Sequence, residues 1–273
     1  MATADRFLGT LQLFTAERPD WSVEEAAEHL QVSVSTIYRY FNIMCDAGFL
    51  DSMTRGRYVL GPAFIAFDRQ IRLMDPMLQT AIPVMKRLVA HAGGKGVALL
   101  CRRFRDRIMC VHQENASVLD VDISFERGRP LGMVRGAASK AILAHLPIRL
   151  LRSIYNDHAA SIAEVGLGRS WEEFRLTLKG IRAAGFSVTR AELDADRVGI
   201  ATPIFVEGNV VGSVSMVLHA IDATNPFVAN VSTLVQAAGR EIDATILELS
   251  QETLRKTGSS SEGNSVPIVA TSG

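Results

Sequence analysis

Between residues 33 and 57 the chain gathers side chains able to hydrogen-bond a sugar–phosphate surface or a base edge. Ser33, Ser35, Thr36, Tyr38, Arg39 and Asn42 come first, and Arg55 and Arg57 follow on either side of Gly56. No nucleophile stands beside a base among them, so the chemistry they offer is recognition rather than catalysis. On a helix, Ser35, Tyr38, Arg39 and Asn42 fall on one side and Ile37, Phe41 and Met44 on the other. A helix anchored by an apolar back and polar in front is what the major groove of B-DNA, about 12 Å wide, admits. Arg55 and Arg57 would then flank the tip of a wing reaching phosphates or the minor groove. The rival reading is a module of the same shape that binds a protein partner and no DNA.

A second group begins at Arg135, followed by Gly136, Ala137 and Ala138. If a helix starts there, its first-turn N–H groups lack partners, and such small residues leave the backbone open to a carboxylate. Arg135 could add a bidentate contact. The ligand expected on these grounds is a small organic acid, aromatic acids included. The plainer alternative is close packing of small residues beside a solvated arginine.

Other candidates are weaker. Cys110 and His112, two apart on one strand, would face the same side, yet a third metal ligand is lacking nearby. "GGKG" at 93–96 lacks the spacing and the Ser/Thr of a phosphate loop, and no G-x-S-x-G elbow occurs. No enzyme activity, cofactor or metal is expected.

Helical spacing covers 5–16, and the Ser22/Glu25 capping box starts a helix to about Leu30. Ser33 can cap the next, which ends at Gly48 before two short strands around the Gly56 turn. Residues 63–75 read as a linker helix, and 77–92 as an amphipathic helix stopped by Gly93-Gly94. Strands are expected at 96–101, 107–113 and 117–123, then a loop (128–135), a helix from Gly136, and a helix from the Ser170/Glu173 box to Gly185. Strands at 186–190, 200–206 and 210–218 and a closing helix at 225–252 complete the pattern. The small, polar residues 253–273 are expected to be disordered. The fold class is α+β: residues 1–62 as a winged helix-turn-helix, the 63–75 linker, and a domain over 76–252 with a mainly antiparallel sheet flanked by helices.

Composition bounds the partners. Of 273 residues 29 are basic and 29 acidic, so no global field draws the molecule to nucleic acid or membrane. Residues 1–62 hold five arginines, no lysine and eight acidic residues, a balance of −3. Any affinity for DNA must therefore come from a local cluster around Arg39, Arg55 and Arg57. Three cysteines without a CxxC pair, and no signal peptide or membrane-spanning run, set the expectation of a cytoplasmic protein.

"VSVSTIYRYFNIMCDAGFLD" with "RGRYVLGP" resembles the IclR family of bacterial transcription regulators, and so, in register, do "GRPLGMVRGAASKAILAHLP", "GFSVTRAELDADRVGIATPIF" and "GSVSMVL". The resemblance spans about residues 5–250. It implies a GAF-like effector domain, a homodimer or homotetramer, double-stranded operator DNA as partner, and control of a catabolic operon. It also places Ser215 and Val217, with Ile123, Leu131, Met133, Thr189 and Gly199, at effector-contacting positions. Three departures lie near that site: Val134-Arg135 replaces the family's His-Ala, Ser139 the glycine before the lysine, and Thr189-Arg190 an acidic pair.

Overall fold

The computed structural model describes residues 3–53, 56–115 and 123–261, with side chains over 4–53, 56–115 and 123–252. The chain forms two compact units divided between Asp75 and Pro76. The expected strand at 117–123, but for Ile123, and Arg55 lie outside the described residues.

The first unit opens with α1 (Thr3–Gly9) and a short 3-10 turn (Thr10–Leu13) where one helix over 5–16 was expected. A two-residue strand β1 (Trp21–Ser22) leads into α2 (Val23–Leu30). Ser22 Oγ accepts from Glu25 N–H at 3.2 Å, and the Glu25 carboxylate accepts from Ser22 N–H at 3.1 Å, closing the capping box. Gln31 ends α2 in the left-handed region, φ 56°. Ser33 caps α3 (Val34–Asp46) by accepting from Thr36 N–H at 3.3 Å. Strands β2 (Leu50–Ser52) and β3 (Arg57–Leu60) pair antiparallel, and β1 adds to the far edge of β3. The order helix, turn, helix, hairpin agrees with a winged helix-turn-helix.

The core of this unit gathers Ile37, Tyr40, Phe41 and Met44 of α3 with Trp21, Ala26 and Leu50. Phe7 meets the Tyr40 ring edge-on at 5.2 Å, and Trp21 donates its indole N–H to Leu13 O at 2.8 Å, so the polar tip of a buried ring is satisfied. Helix α4 (Ala63–Met74) follows, with Phe64 and Phe67 against Phe49.

The second unit is built on a six-stranded sheet, wholly antiparallel among the described residues. Its strands are β4 (Val97–Phe104), β5 (Arg107–Asn115), β6 (Pro130–Gly132), β7 (Ser187–Arg190), β8 (Arg197–Val206) and β9 (Asn209–His219), in the order β6-β5-β4-β9-β8-β7. Alternation along β4 sorts the faces: Ala98 and Leu100 join one core, Val97, Leu99 and Cys101 the other. Helices α5 (Pro76–His91) and α9 (Asn225–Ser261) cover the first face. Helices α6 (Ala137–Leu143), α7 (Ile148–Glu164) and α8 (Trp171–Ala184) cover the second.

Three features depart from expectation. Helix α7 was not foreseen: Pro147 gives it no side-chain cap, and His158 breaks the helical backbone inside it at φ −132°, ψ 22°. Helix α9 continues past 252 to Ser261, so the tail expected to be disordered from 253 starts as helix, and its remainder lies outside the described residues. A bulge in β5 pairs Cys110 with Cys101 but His112 with Leu100. Cross-strand partners share a face, so Cys110 and His112 point to opposite sides, contrary to the expectation for that pair. Contact with Cys110, together with burial, pushes the Cys101 thiol well up, so both cysteines act as small apolar residues.

A second bulge frees Phe205 N–H in β8, and Asp243 of α9 accepts from it at 2.8 Å. Burial pushes the Asp243 carboxyl up to about 6. Folded protein therefore holds this proton more tightly than unfolded chain. The associated stability is full below about pH 4 and is lost as pH rises through about 6. Asp243→Asn keeps an acceptor for Phe205. It is expected to raise stability at pH 8 by about 1–2 kcal/mol after allowance for partial exposure, with no gain at pH 4. Urea unfolding at the two pH values measures it.

Candidate functional site

Two places collect the recognition residues, one in each unit. On α3 the predicted polar edge faces solvent: Ser35, Tyr38, Arg39 and Asn42 are exposed, and Tyr38 keeps 56% of its surface. Ile37, Phe41 and Met44 lie beneath, at most 1% exposed. Ser33 and Thr36 share a hydroxyl–hydroxyl contact of 2.7 Å at the start of the helix, so Ser33 serves first as a cap.

The arginines divide. Arg57 bonds Asp20 and approaches Glu25 at 3.4 Å, and these acidic partners raise its affinity for its proton further. Arg18 pairs with Glu25 at 2.9 Å while lying over the Trp21 ring. Arg57 thus ties β3 to the entrance of α2 while its side chain stays 39% exposed. Arg39 makes no ion pair with any described residue. The negative balance of this unit is partly answered at Asp20 and Glu25, away from the exposed edge of α3.

In the second unit a cavity lies between the sheet and α6. Ile123, Leu131, Gly136, Ala137, Ala138, Thr189, Gly199, Ser215 and Val217 all border it. The sheet register explains why: Thr189, Gly199 and Val217 form one row across β7, β8 and β9, and Ala201 and Ser215 the next. A Cβ at Gly199 would stand 3.1 Å from Thr189 Oγ1 and 3.2 Å from Ala137 Cβ, so a larger residue there would press on this wall of the cavity. Gly136 turns the chain into α6 at φ 82°, and a Cβ there would meet Leu193 at 2.9 Å.

Two expected residues are not in this set. Met133 is buried in the core beneath α6 without bordering the cavity. Arg135 turns to Glu164 of α7, with its nitrogen 2.5 Å from the carboxylate, and does not line the cavity. The anion clamp expected of Arg135 is therefore not formed. Its neighbour Gly136 N–H donates instead to Glu192 at 3.0 Å, and the other Glu192 oxygen bonds Lys140, whose ammonium also donates to Val165 O at 3.1 Å. The N–H of the residue capping α6 thus meets a carboxylate from the protein itself.

Sequence reasoning missed Leu99, Phe125, Glu192, Leu193, Asp194 and Arg197, which complete the lining. Four of them sit after β7, where a run of charges around Ala191–Asp196 reads as solvated loop. The segment is instead fastened down: Glu192 to Lys140, Asp194 to Ser124 by its N–H at 3.1 Å and its hydroxyl, and Ala191 N–H to Arg197 O at 2.9 Å. Among the described residues no group of three His, Cys, Asp or Glu could hold a metal ion, and no helix is long and apolar enough to cross a membrane.

An exposed polar helix edge on a small helical unit, and an apolar cavity with few polar groups in an antiparallel α+β domain, define a two-unit recognition protein of sensor type. Residues 74–244 match the family described as "Bacterial transcriptional regulator IclR C-terminal". The chain belongs to the IclR family of transcriptional regulators. It is 24% identical over 206 residues to the HTH-type transcriptional regulator KipR of Bacillus subtilis, covering 74% of this chain and 80% of that protein. Its fold is similar to that of an IclR transcriptional regulator from Alicyclobacillus acidocaldarius, with TM-score 0.74, 20% identity, and coverage of 89% of this chain and 98% of the other. It is also similar to an IclR homolog from Microbacterium hydrocarbonoxydans crystallised with 4-hydroxybenzoate, with TM-score 0.70, 18% identity and coverage of 90% and 99%. KipR and the Alicyclobacillus protein are both named as transcriptional regulators.

Proposed function

We propose that this regulator reads double-stranded operator DNA with the exposed edge of α3 and answers to a small organic acid held between the sheet and α6. The observation that carries the first half is the division of α3: Ile37, Phe41 and Met44 buried, Ser35, Tyr38, Arg39 and Asn42 in solvent. A helix fixed from behind by a core can present its polar edge to a major groove without being remodelled. Arg55 and Arg57, on either side of Gly56 in the sequence, are the proposed contacts to the DNA backbone.

For the second half, the cavity is walled by leucine, isoleucine, phenylalanine and valine with a few hydroxyls and charges, the usual make-up of a small-molecule site. An aromatic acid fits such walls, and the Microbacterium relative with 4-hydroxybenzoate supports that class. Target genes that break down the same acid are the natural counterpart, a catabolic operon. The exposed apolar residues Ile65, Phe67, Ile71 and Met74 of α4 support self-association, as a homodimer or homotetramer. A dimer would place two α3 helices on half-sites about 34–36 Å apart, and effector binding would shift populations among dimer geometries through α4.

Titration of the full chain with DNA from upstream of its own gene, followed by fluorescence anisotropy across salt, tests the DNA half. Specific binding that weakens steeply with salt is expected. Absence of binding at low salt would leave the protein-contact alternative. Arg39→Ala should weaken specific binding by about 1–3 kcal/mol without lowering the melting temperature, since Arg39 is exposed and makes no ion pair with a described residue.

A further inference from the structure

Resting on the reading of the cavity as the effector site, we infer that Leu193 plugs its entrance and that Asp194 is the latch an entering ligand must release. Leu193 borders the cavity and yet keeps 38% of its surface in solvent. At that point the wall is one side chain thick. The side chain rests on Gly136, where a Cβ would stand 2.9 Å from its Cδ1. Leu193 lies in the connection between β7 and β8, outside both strands, and its two neighbours in the chain hold it down. Glu192 bonds Lys140 and accepts from Gly136 N–H at 3.0 Å. Asp194 accepts from Ser124 N–H at 3.1 Å and from the Ser124 hydroxyl.

The two fastenings are not equal. Lys140 and Glu192 are nearly buried, and parting them would strand two charges in a largely apolar wall. That end is the pivot. Asp194 instead stands where the cavity meets the outside. It borders both the apolar cavity and a second, polar hollow whose rim residues Glu126, Arg129 and Asp196 are exposed. Parting Asp194 from Ser124 exchanges its hydrogen bonds for bonds to water, a smaller cost. Two internal bonds keep the connection in one piece, from Ala191 N–H to Arg197 O at 2.9 Å and from Arg197 N–H to Asp194 O at 3.1 Å. Release at Asp194 therefore lifts Leu193 off Gly136 and opens the cavity toward the polar hollow, while β7 and β8 stay paired.

Labelling of the full chain by iodoacetamide, with Ser215→Cys as reporter, tests the plug without any effector. Ser215 borders the cavity and is 2% exposed, so the reagent reaches a thiol there only when the entrance opens. Asp194→Ala should speed labelling at position 215 about 10-fold or more, and Leu193→Ala likewise. Ser124→Ala should speed it by a smaller factor, because its N–H still donates to Asp194. Cys101 and Cys110, fully buried in the core on the same side of the sheet, report general unfolding and should stay unlabelled in peptide mass spectra. With Ser215 restored, stopped-flow mixing should show 4-hydroxybenzoate entering and leaving the Asp194→Ala protein faster by a common factor, its affinity nearly unchanged. Unchanged labelling in Asp194→Ala and Leu193→Ala, or labelling of Cys101 and Cys110 along with the reporter, would overturn the plug. Faster labelling at position 215 alone, with no binding of 4-hydroxybenzoate at millimolar concentration, would uphold the entrance and sink the aromatic-acid reading instead. Should Asp194→Ala not fold, Leu193→Ala and Ser124→Ala decide.

Discussion

Phe41→Ala is expected to unfold the N-terminal unit under conditions where the C-terminal unit stays folded. Phe41 is fully buried at the centre of α3's inner face, with the Phe14 ring 6.1 Å and the Tyr58 ring 4.8 Å from its own. Truncating a buried phenylalanine costs about 3–5 kcal/mol, the transfer cost plus that of the cavity left behind. A unit of this size has a total stability of roughly 4–11 kcal/mol, so one substitution removes a large share of it. The C-terminal unit has separate cores on both faces of its sheet and loses none of these contacts. Hydrogen exchange of the full-length variant should show protection lost in α2 and α3 but kept in β4, β8 and β9, and binding to operator DNA should vanish. Arg39→Ala is the contrasting variant, expected to weaken binding with its protection intact. Unchanged exchange in α3 of the Phe41→Ala protein would mean that the helix is held by something other than this core.

The same comparison shows where the sequence was legible. Helices α2, α3 and α8 announce themselves through local chemistry, a serine cap followed three residues on by the N–H it accepts from, and periodic apolar residues behind it. Helix α7 carries no such entrance signal and is broken at His158. The cavity was half visible. Residues on regular strands, such as Thr189, Gly199 and Ser215, follow from alternation and family register, because pairing across the sheet fixes their side. Arg135 and Met133 were misplaced because adjacency to a helix start does not fix where a long side chain goes; Glu164, far along the chain, decides it for Arg135. Glu192, Asp194 and Arg197 were invisible for the complementary reason. Charges in a loop read as solvated until the fold supplies Lys140 and Ser124 as partners. The bulge at Val111 likewise turns Cys110 and His112 apart, and no local signal in the sequence marks it.

The pair Lys140–Glu192 should rank with Phe41 in its effect. The two side chains keep only 7% and 17% of their exposure, and they join α6 to the segment after β7 at the wall of the cavity. Lys140→Met should lower the stability of the C-terminal unit by about 3–5 kcal/mol, because it leaves the Glu192 carboxylate held by Gly136 N–H alone in a largely apolar setting. Most of that cost belongs to the stranded charge rather than to the attraction lost. Adding Glu192→Gln to Lys140→Met removes the charge while keeping an acceptor for Gly136 N–H. The double variant should then recover to within about 1 kcal/mol of the natural protein, as buried pairs replaced together often do. Urea unfolding of the four proteins in the cycle, followed by far-ultraviolet circular dichroism, gives the coupling. If the double variant is as unstable as Lys140→Met, the loss comes from the packing of the lysine stem and its bond to Val165 O rather than from an uncompensated carboxylate.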